Sequence, residues 1–388
     1  MQDARLKSET NVYGSGDKLP PRIDSEGHWR SIGRDLFNNC RQIARVWVVV
    51  GVALCVSGWA LARGAGGDTA VDQRSRLLES GARLFADARL SRDGNVSCAT
   101  CHTPARAFTD GRPTSIGTGE FAGTRNSPSL LNVAANSSFF WDGRRSSLDA
   151  LILDPLTHPL EHGFANETQV LSAVRRLPDL VELLTAAFGI KADQLEINHI
   201  VTPLVAYVRS LRSRPSAFDR HLSGEGQLGP AALRGYRLFT GAAQCSACHL
   251  IEGSQPDFTD QRFHAVLQAP SAMRRLPALV KRLAEAREHG QPLDHTLLTD
   301  KDISALGRFA VTLEPADIGT FKTPSLRNVA ITAPYMHDGS VATLEQAIEL
   351  EIYDRGARAG TPLVLSPEEK ADLAAFLEAL TDEDYTAR

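Results

Sequence analysis

The 388-residue sequence predicts a mostly α-helical protein with two tandem, related domains behind an N-terminal membrane or signal segment. Three observations carry this expectation. After residue 73, apolar residues recur at helical spacing and strand-like alternation is scarce. One stretch occurs twice without a gap, as "SPSLLNVAANSSFFWDGRRSSLDALI" from Ser127 and "TPSLRNVAITAPYMHDGSVATLEQAI" from Thr323. Each copy follows one Cys-x-x-Cys-His run, "CATCH" at Cys98–His102 and "CSACH" at Cys245–His249. The net charge of −4, with no basic patch interleaved with aromatics, argues against nucleic acid as a partner.

Residues 1–45 form a polar leader. Val46–Ala62, "VWVVVGVALCVSGWALA", carries no charge and lies between Arg45 and Arg63. It is at the short limit for a membrane span and long for a signal-peptide core. Arg30, Arg34, Arg41 and Arg45 precede it, which keeps the N-terminus in the cytoplasm and exports the rest. "ALA" at Ala60–Ala62 resembles a signal-peptidase site. The exported part is therefore expected in the periplasm, either released or held at the inner membrane by residues 46–62. Residues 63–73 read as a Gly-rich linker.

Helical spacing then marks "RSRLLESGARLFADARLS", "ETQVLSAVRRL", "VELLTAAF", "INHIVTPLVAYVRSLRS", "GPAALRGYRLF", "LPALVKRLAEAREHG", "TLEQAIELEIY" and "SPEEKADLAAFLEAL". The last opens on Ser366 and Pro367, a good helix start. Pro, Gly and Ser concentrate at residues 212–229, so the domains are expected at 74–222 and 223–388.

Of six cysteines, Cys40 and Cys55 lie before or inside the apolar run, and the other four belong to the two motifs, so no disulfide framework is left. Two thiols two residues apart can add to the vinyl groups of one haem, and the adjacent His then ligates its iron. A zinc site would want another close Cys or His pair, and a redox dithiol a βαβ setting; neither is evident. The motifs read as two covalent haem c sites.

The residues that go furthest are "RLFADARLSRDGNVSCATCH", "RNSPSLLN", "FFWDGR", "CSACH" and "FKTPSLRNVAITAPYMHDGSVATLEQA", spread from about Arg74 to Gly356. With them the chain resembles the bacterial di-haem cytochrome c peroxidase family, which includes MauG-type enzymes. The resemblance implies two cytochrome c-like domains. It implies a peroxidatic haem on Cys98, Cys101 and His102 and an electron-transfer haem on Cys245, Cys248 and His249. It also implies a calcium ion held by Asn126 and the carbonyls of Thr332 and Pro334, Trp141 as a relay between haems, and Glu161 as the distal acid–base residue, flanked by His158 and His162.

The implied activity is reduction of hydrogen peroxide with electrons from a small periplasmic cytochrome c or copper protein. The alternatives are a MauG-like oxidase that modifies a partner protein and a non-catalytic di-haem electron carrier. The sequence also departs from the family. Thr118 stands where many members carry a His that caps the first haem, and Leu151 where many carry a Gln; both leave that site open. For the sixth ligand of the second haem, Tyr353 is expected on condition that a local helical irregularity absorbs two residues, since Glu351 holds the strict position. Met336 is the remaining candidate. Ala243 replaces the surface Trp by which MauG-type enzymes draw electrons from a protein substrate. The segment Phe258–Arg308 is longer than in the simplest members and reads as added packing or a partner surface.

Overall fold

Helices form where the apolar spacing predicts them. The computed structural model describes residues 71–266 and 270–386. The leader 1–45, the apolar segment 46–62 and most of the linker lie outside the described residues. Among the described residues, no helix is long and apolar enough to cross a membrane.

The first half holds α1 (residues 71–86), α2 (Cys98–Cys101), α3 (Leu148–Leu156), α4 (Glu167–Arg175), α5 (Pro178–Phe188) and α6 (Asn198–Ser210). The second holds α7 (Ala217–Ser223), α8 (Pro230–Thr240), β1 (Phe263–Ala265), α9 (Pro270–Glu288), α10 (Leu293–Thr299), α11 (Lys301–Ser304), α12 (Phe309–Thr312), β2 (Thr320–Lys322), α13 (Leu344–Ala359), α14 (Pro367–Glu378) and α15 (Glu383–Thr386). β1 pairs antiparallel with β2, His264 opposite Phe321.

Each half has its own apolar core. In the first, Leu84 and Phe85 of α1 meet Leu148, Ile152 and Leu156 of α3, Val170 and Val174 of α4, and Ile200, Leu204 and Val208 of α6. These recur every three or four residues, so each helix turns one stripe inward. In the second, Phe218 of α7 packs with Phe239 of α8, Ile348 and Ile352 of α13, and Phe376 of α14. Each half crosses two helices closely at a glycine. A Cβ on Gly81 of α1 would lie 2.0 Å from the Pro203 carbonyl oxygen of α6, and one on Gly235 of α8 would lie 1.9 Å from that of Asp372 in α14. Only a residue without a Cβ permits either approach.

The sequence repeat is a backbone repeat. Asn132 and Asn328 are both left-handed, as are Phe140 and Met336, and Gly143 and Gly339. Single bridges close both turns, Phe139 with Arg145 and Tyr335 with Val341. Ser147 and Thr343 then cap α3 and α13.

Two expected boundaries shift. α1 is already helical at residue 71, so the linker ends before residue 73. The first core ends at Leu211 and the second begins at Phe218, so the division falls before α7 rather than at 222/223. Residues 212–229 read as linker from composition, but Ser216 and Asp219 form a capping box that starts α7 inside them. The insert α9–α12 has a small core of its own, with Leu279, Leu283, Leu297, Ile303 and Phe309.

Asp219 also accepts two bonds from Arg327, at 2.9 and 2.7 Å, with side chains only 4% and 3% exposed. Burial alone would raise the Asp219 carboxyl, but the Arg327 guanidinium and the Ser216 bonds hold it below its ordinary value. Asp219→Ala should therefore cost about 3–5 kcal/mol by leaving the buried Arg327 with only the longer Asp257 pair at 3.9 Å. Denaturant midpoints of the holoprotein measure this, and a loss below about 1 kcal/mol would contradict the pairing.

Candidate functional site

Each Cys-x-x-Cys-His motif ends in a histidine fixed by one backbone bond. Cys98 and Cys101 sit one turn apart on α2, started by a Ser97–Thr100 capping box, and the His102 N–H donates to the Cys98 carbonyl at 2.9 Å. His102 Nδ1 is 3.0 Å from the Phe108 carbonyl oxygen. In the second motif, a single 3₁₀ turn (Cys245–Ala247) leads to His249, whose Nδ1 is 2.8 Å from the Phe258 carbonyl oxygen. Phe108 and Phe258 are both left-handed, which turns each carbonyl back toward its histidine. A carbonyl accepts only, so Nδ1 carries the proton and Nε2 keeps its lone pair for a metal. Burial lowers both histidines, His249 to about 4, and so keeps them in the neutral, ligating form.

Both motifs line one cavity of about 490 Å³. Its walls include all four thiols, both histidines, Trp141, Glu161, Lys322 and Arg327. The donor set fits haem better than zinc or a dithiol. The cysteines are unpaired, and burial pushes Cys98 and Cys101 up to about 12 and Cys245 to about 11. A reactive dithiol needs the opposite shift, and a zinc site would need two further donors beside each cysteine pair. Among the described residues, Cys248, Asp260 and His264 bring three donor atoms within 4.8 Å of one another. Cys248 is claimed by the haem motif, and His264 and Asp260 already pair at 2.7 Å.

Glu161 lines this cavity, whose walls also include the apolar residues Phe121, Phe140, Leu151, Ile152, Pro155 and Leu160. Burial pushes its carboxyl up to about 7 against the pull of Arg144, while Asp154 and Asp294 add to the rise. The loop before it is pressed close: a Cβ on Gly117 would lie 1.9 Å from the Leu160 carbonyl oxygen. Thr118 donates its N–H to the Glu161 carbonyl at 3.0 Å and its hydroxyl to that of Pro159 at 3.3 Å. Thr118 is 3% exposed and does not line the cavity, so it holds the Glu161 turn. His162 lines the cavity and is fixed by the Leu90 carbonyl at 2.7 Å. His158 is buried outside the lining and stacks on His295 of α10, centroids 5.8 Å apart.

Trp141 connects the halves. Its indole N–H donates to the Asn126 carbonyl at 2.9 Å, and its own carbonyl accepts from the Lys322 N–H at 2.9 Å. In the repeat its counterpart is His337, stacked on Phe321 at 3.8 Å. Asn126, Thr332 and Pro334 line the same cavity, and the Asn126 N–H donates to the His337 carbonyl at 2.9 Å. Asn126 Nδ2 donates to the Arg112 carbonyl at 2.8 Å, which leaves Oδ1 for a cation.

Tyr353 is a correction. It is 64% exposed and absent from the lining, whereas Glu351, Ile352 and Arg355 line the cavity. α13 runs unbroken through this stretch, so no irregularity absorbs the two residues. Two positions on an α-helix differ by about 200°, which turns Tyr353 away when Glu351 faces in. Met336 does line the cavity. Ala243 is fully buried.

Three contributors were not anticipated. Arg144 lies 3.4 Å over the Phe140 ring and pairs with buried Asp142 at 3.1 Å. It was readable, since it ends the "FFWDGR" motif. Lys322 lines the cavity, and burial lowers it to about 8. Leu298 of the insert reaches the lining, where no sequence signal places it.

A profile of the di-haem cytochrome c peroxidase family matches residues 75–227. The chain is 34% identical over 355 residues to cytochrome-c peroxidase IdrP2 of Denitromonas iodatirespirans, covering 88% of this chain and 93% of that protein. It is 35% identical over 309 residues to the methylamine utilization protein MauG of Methylorubrum extorquens, covering 78% and 77%. A crystal structure of a MauG-like protein associated with microbial copper homeostasis matches with a TM-score of 0.64 at 32% identity, over 80% of this chain and 90% of that one. The chain therefore belongs to the di-haem cytochrome c peroxidase family of oxidoreductases, of which MauG is a member.

Replacing Cys98 and Cys101 together by Ser should halve the covalently bound haem while leaving the second motif loaded. A haemochrome assay per mole of denatured protein measures this, and an unchanged haem content would contradict attachment there.

Proposed function

We propose that the chain is an exported di-haem c-type peroxidase that reduces hydrogen peroxide beside Glu161, with electrons entering through the second motif. The observation that carries this reading is Glu161: one carboxyl near neutrality in an apolar pocket, in the same cavity as His102. Haem bound at the motifs supplies an iron where peroxide can coordinate and a second iron that passes electrons.

The chain's own residues do the rest. His102 and His249 present Nε2, oriented by the Phe108 and Phe258 carbonyls. Glu161 takes the proton from the inner peroxide oxygen and returns it to the outer one, so that water leaves; a carboxyl poised near the working pH suits both directions. Leu151, Ile152 and Phe140 give the same cavity apolar walls, and a low-dielectric surround strengthens the field of Glu161 and Arg144. Trp141, tied to both halves, is placed to relay electrons between them.

Asn126 Oδ1 and the carbonyls of Thr332 and Pro334 are hard oxygen donors that suit calcium. Bound there, the ion would fix the Asn126 carbonyl that holds the Trp141 indole. Glu351, which lines the cavity on α13, replaces Tyr353 as the candidate further residue that would hold the second haem. Periplasmic location, with release or anchoring through residues 46–62, remains part of this reading. Buried Ala243 leaves no oxidisable ring at the position from which MauG-type enzymes draw electrons.

Glu161→Gln should lower peroxide turnover by about 10²–10⁴-fold. The proton must first be accepted, so wild-type kcat/KM should fall as pH drops below about 7. The Gln variant should lack that limb. Turnover within about twofold of wild type, or an unchanged pH profile, would remove Glu161 from the reaction.

A further inference from the structure

We propose that Tyr353 is the surface electron port of the second haem site, passing electrons inward from a small redox protein docked over it. This rests on the peroxidase reading above. Among the described residues Tyr353 is the only exposed aromatic side chain, at 64%. The oxidisable rings that line the cavity, Trp141 and Tyr335, are half-buried and donate to backbone carbonyls at 2.9 and 3.0 Å. They have no comparable access to a partner.

Tyr353 is also flanked in sequence by residues that line the cavity. Ile352, its chain neighbour, lines the cavity, as do Glu351 and Arg355 on the same helix. Arg355 Nη1 donates to the Gln244 carbonyl at 2.6 Å, and Gln244 is bonded to Cys245. The turn that bears Tyr353 is thus tied to the cysteine that anchors the second haem by a charged hydrogen bond, about twice as strong as a neutral one. The path runs Tyr353, Asp354, Arg355, Gln244, Cys245. Ala243, two residues before that cysteine, is buried and cannot be oxidised.

The chemistry balances with groups already present. When the peroxide-oxidised protein draws one electron from Tyr353, the exposed phenol releases its proton to water. A donor protein returns the electron, and a proton is taken back from water. Without a donor, two such rings on two molecules can couple carbon to carbon. The sum is two tyrosines plus one hydrogen peroxide giving one linked pair and two waters.

The test uses the fully loaded protein. Peroxide is added without reductant, the haem spectrum is followed, and the products are separated on a denaturing gel and mapped by peptide mass spectrometry. The expected result is a spectral change followed by dimers linked through Tyr353. Tyr353→Phe should abolish the dimer and lower kcat/KM for oxidation of reduced monohaem cytochrome c by at least about tenfold, while Tyr353→Trp, still oxidisable, should restore that rate. If peroxide changes the spectrum but the Tyr353 peptide stays intact and Tyr353→Phe oxidises the cytochrome as fast as wild type, the port is overturned and the peroxidase reading stands. A wild-type spectrum that peroxide leaves unchanged overturns the peroxidase reading, and the port with it.

Discussion

The bond from a histidine Nδ1–H to a backbone carbonyl, made once by His102 to Phe108 and once by His249 to Phe258, is the constraint on which the rest of the structure turns. It fixes the tautomer and ring plane, and so determines which nitrogen meets a metal. Each bond needs a left-handed phenylalanine, an arrangement that costs energy unless its surroundings impose it. Here the core does: Phe258 is 1% exposed and packed against Phe218 and Phe239, and Phe108 packs against Phe85. The helical cores thus act as clamps on two short turns.

With the near side of both sites alike, function is divided by the far side. The first half presents one carboxyl held near neutrality in an apolar pocket, a setting that favours proton transfer. The second presents α13, with Glu351 and Arg355 toward the cavity and Tyr353 toward solvent. Trp141 is bonded to Asn126 on one side and Lys322 on the other, so the proposed electron path and the candidate calcium site share one hydrogen bond. The insert adds a wall: Leu298 lines the cavity, and Thr124 is held to the Leu297 carbonyl at 2.5 Å.

Much of this was legible in the sequence because the chain says it twice. Repetition of the "PSL-NVA" segment predicted two related domains, and the turns from Asn132/Asn328 to Ser147/Thr343 are equivalent. Motif spacing singled out His102 and His249 as candidate metal ligands, though not the carbonyls that orient them, since those depend on left-handed residues six and nine positions on. The expectation at Tyr353 depended on a helical irregularity that α13 does not contain, which leaves Glu351 at the strict position. The boundary at α7 was missed because Pro, Gly and Ser suggest linker, while Ser216 with Asp219 starts a helix whose Phe218 belongs to the second core. Contacts across long separations, such as His158 on His295 or Leu298 in the lining, leave no local pattern to read.

The central claim is that two like motifs hold unlike sites, the first open on the side of Glu161 and the second closed. Electron paramagnetic resonance of the fully oxidised protein, before and after peroxide without any reductant, tests it most directly. The account predicts one high-spin and one low-spin haem at rest, with the high-spin signal lost on adding peroxide. Two low-spin haems at rest, inert to peroxide until one electron is supplied, would contradict it.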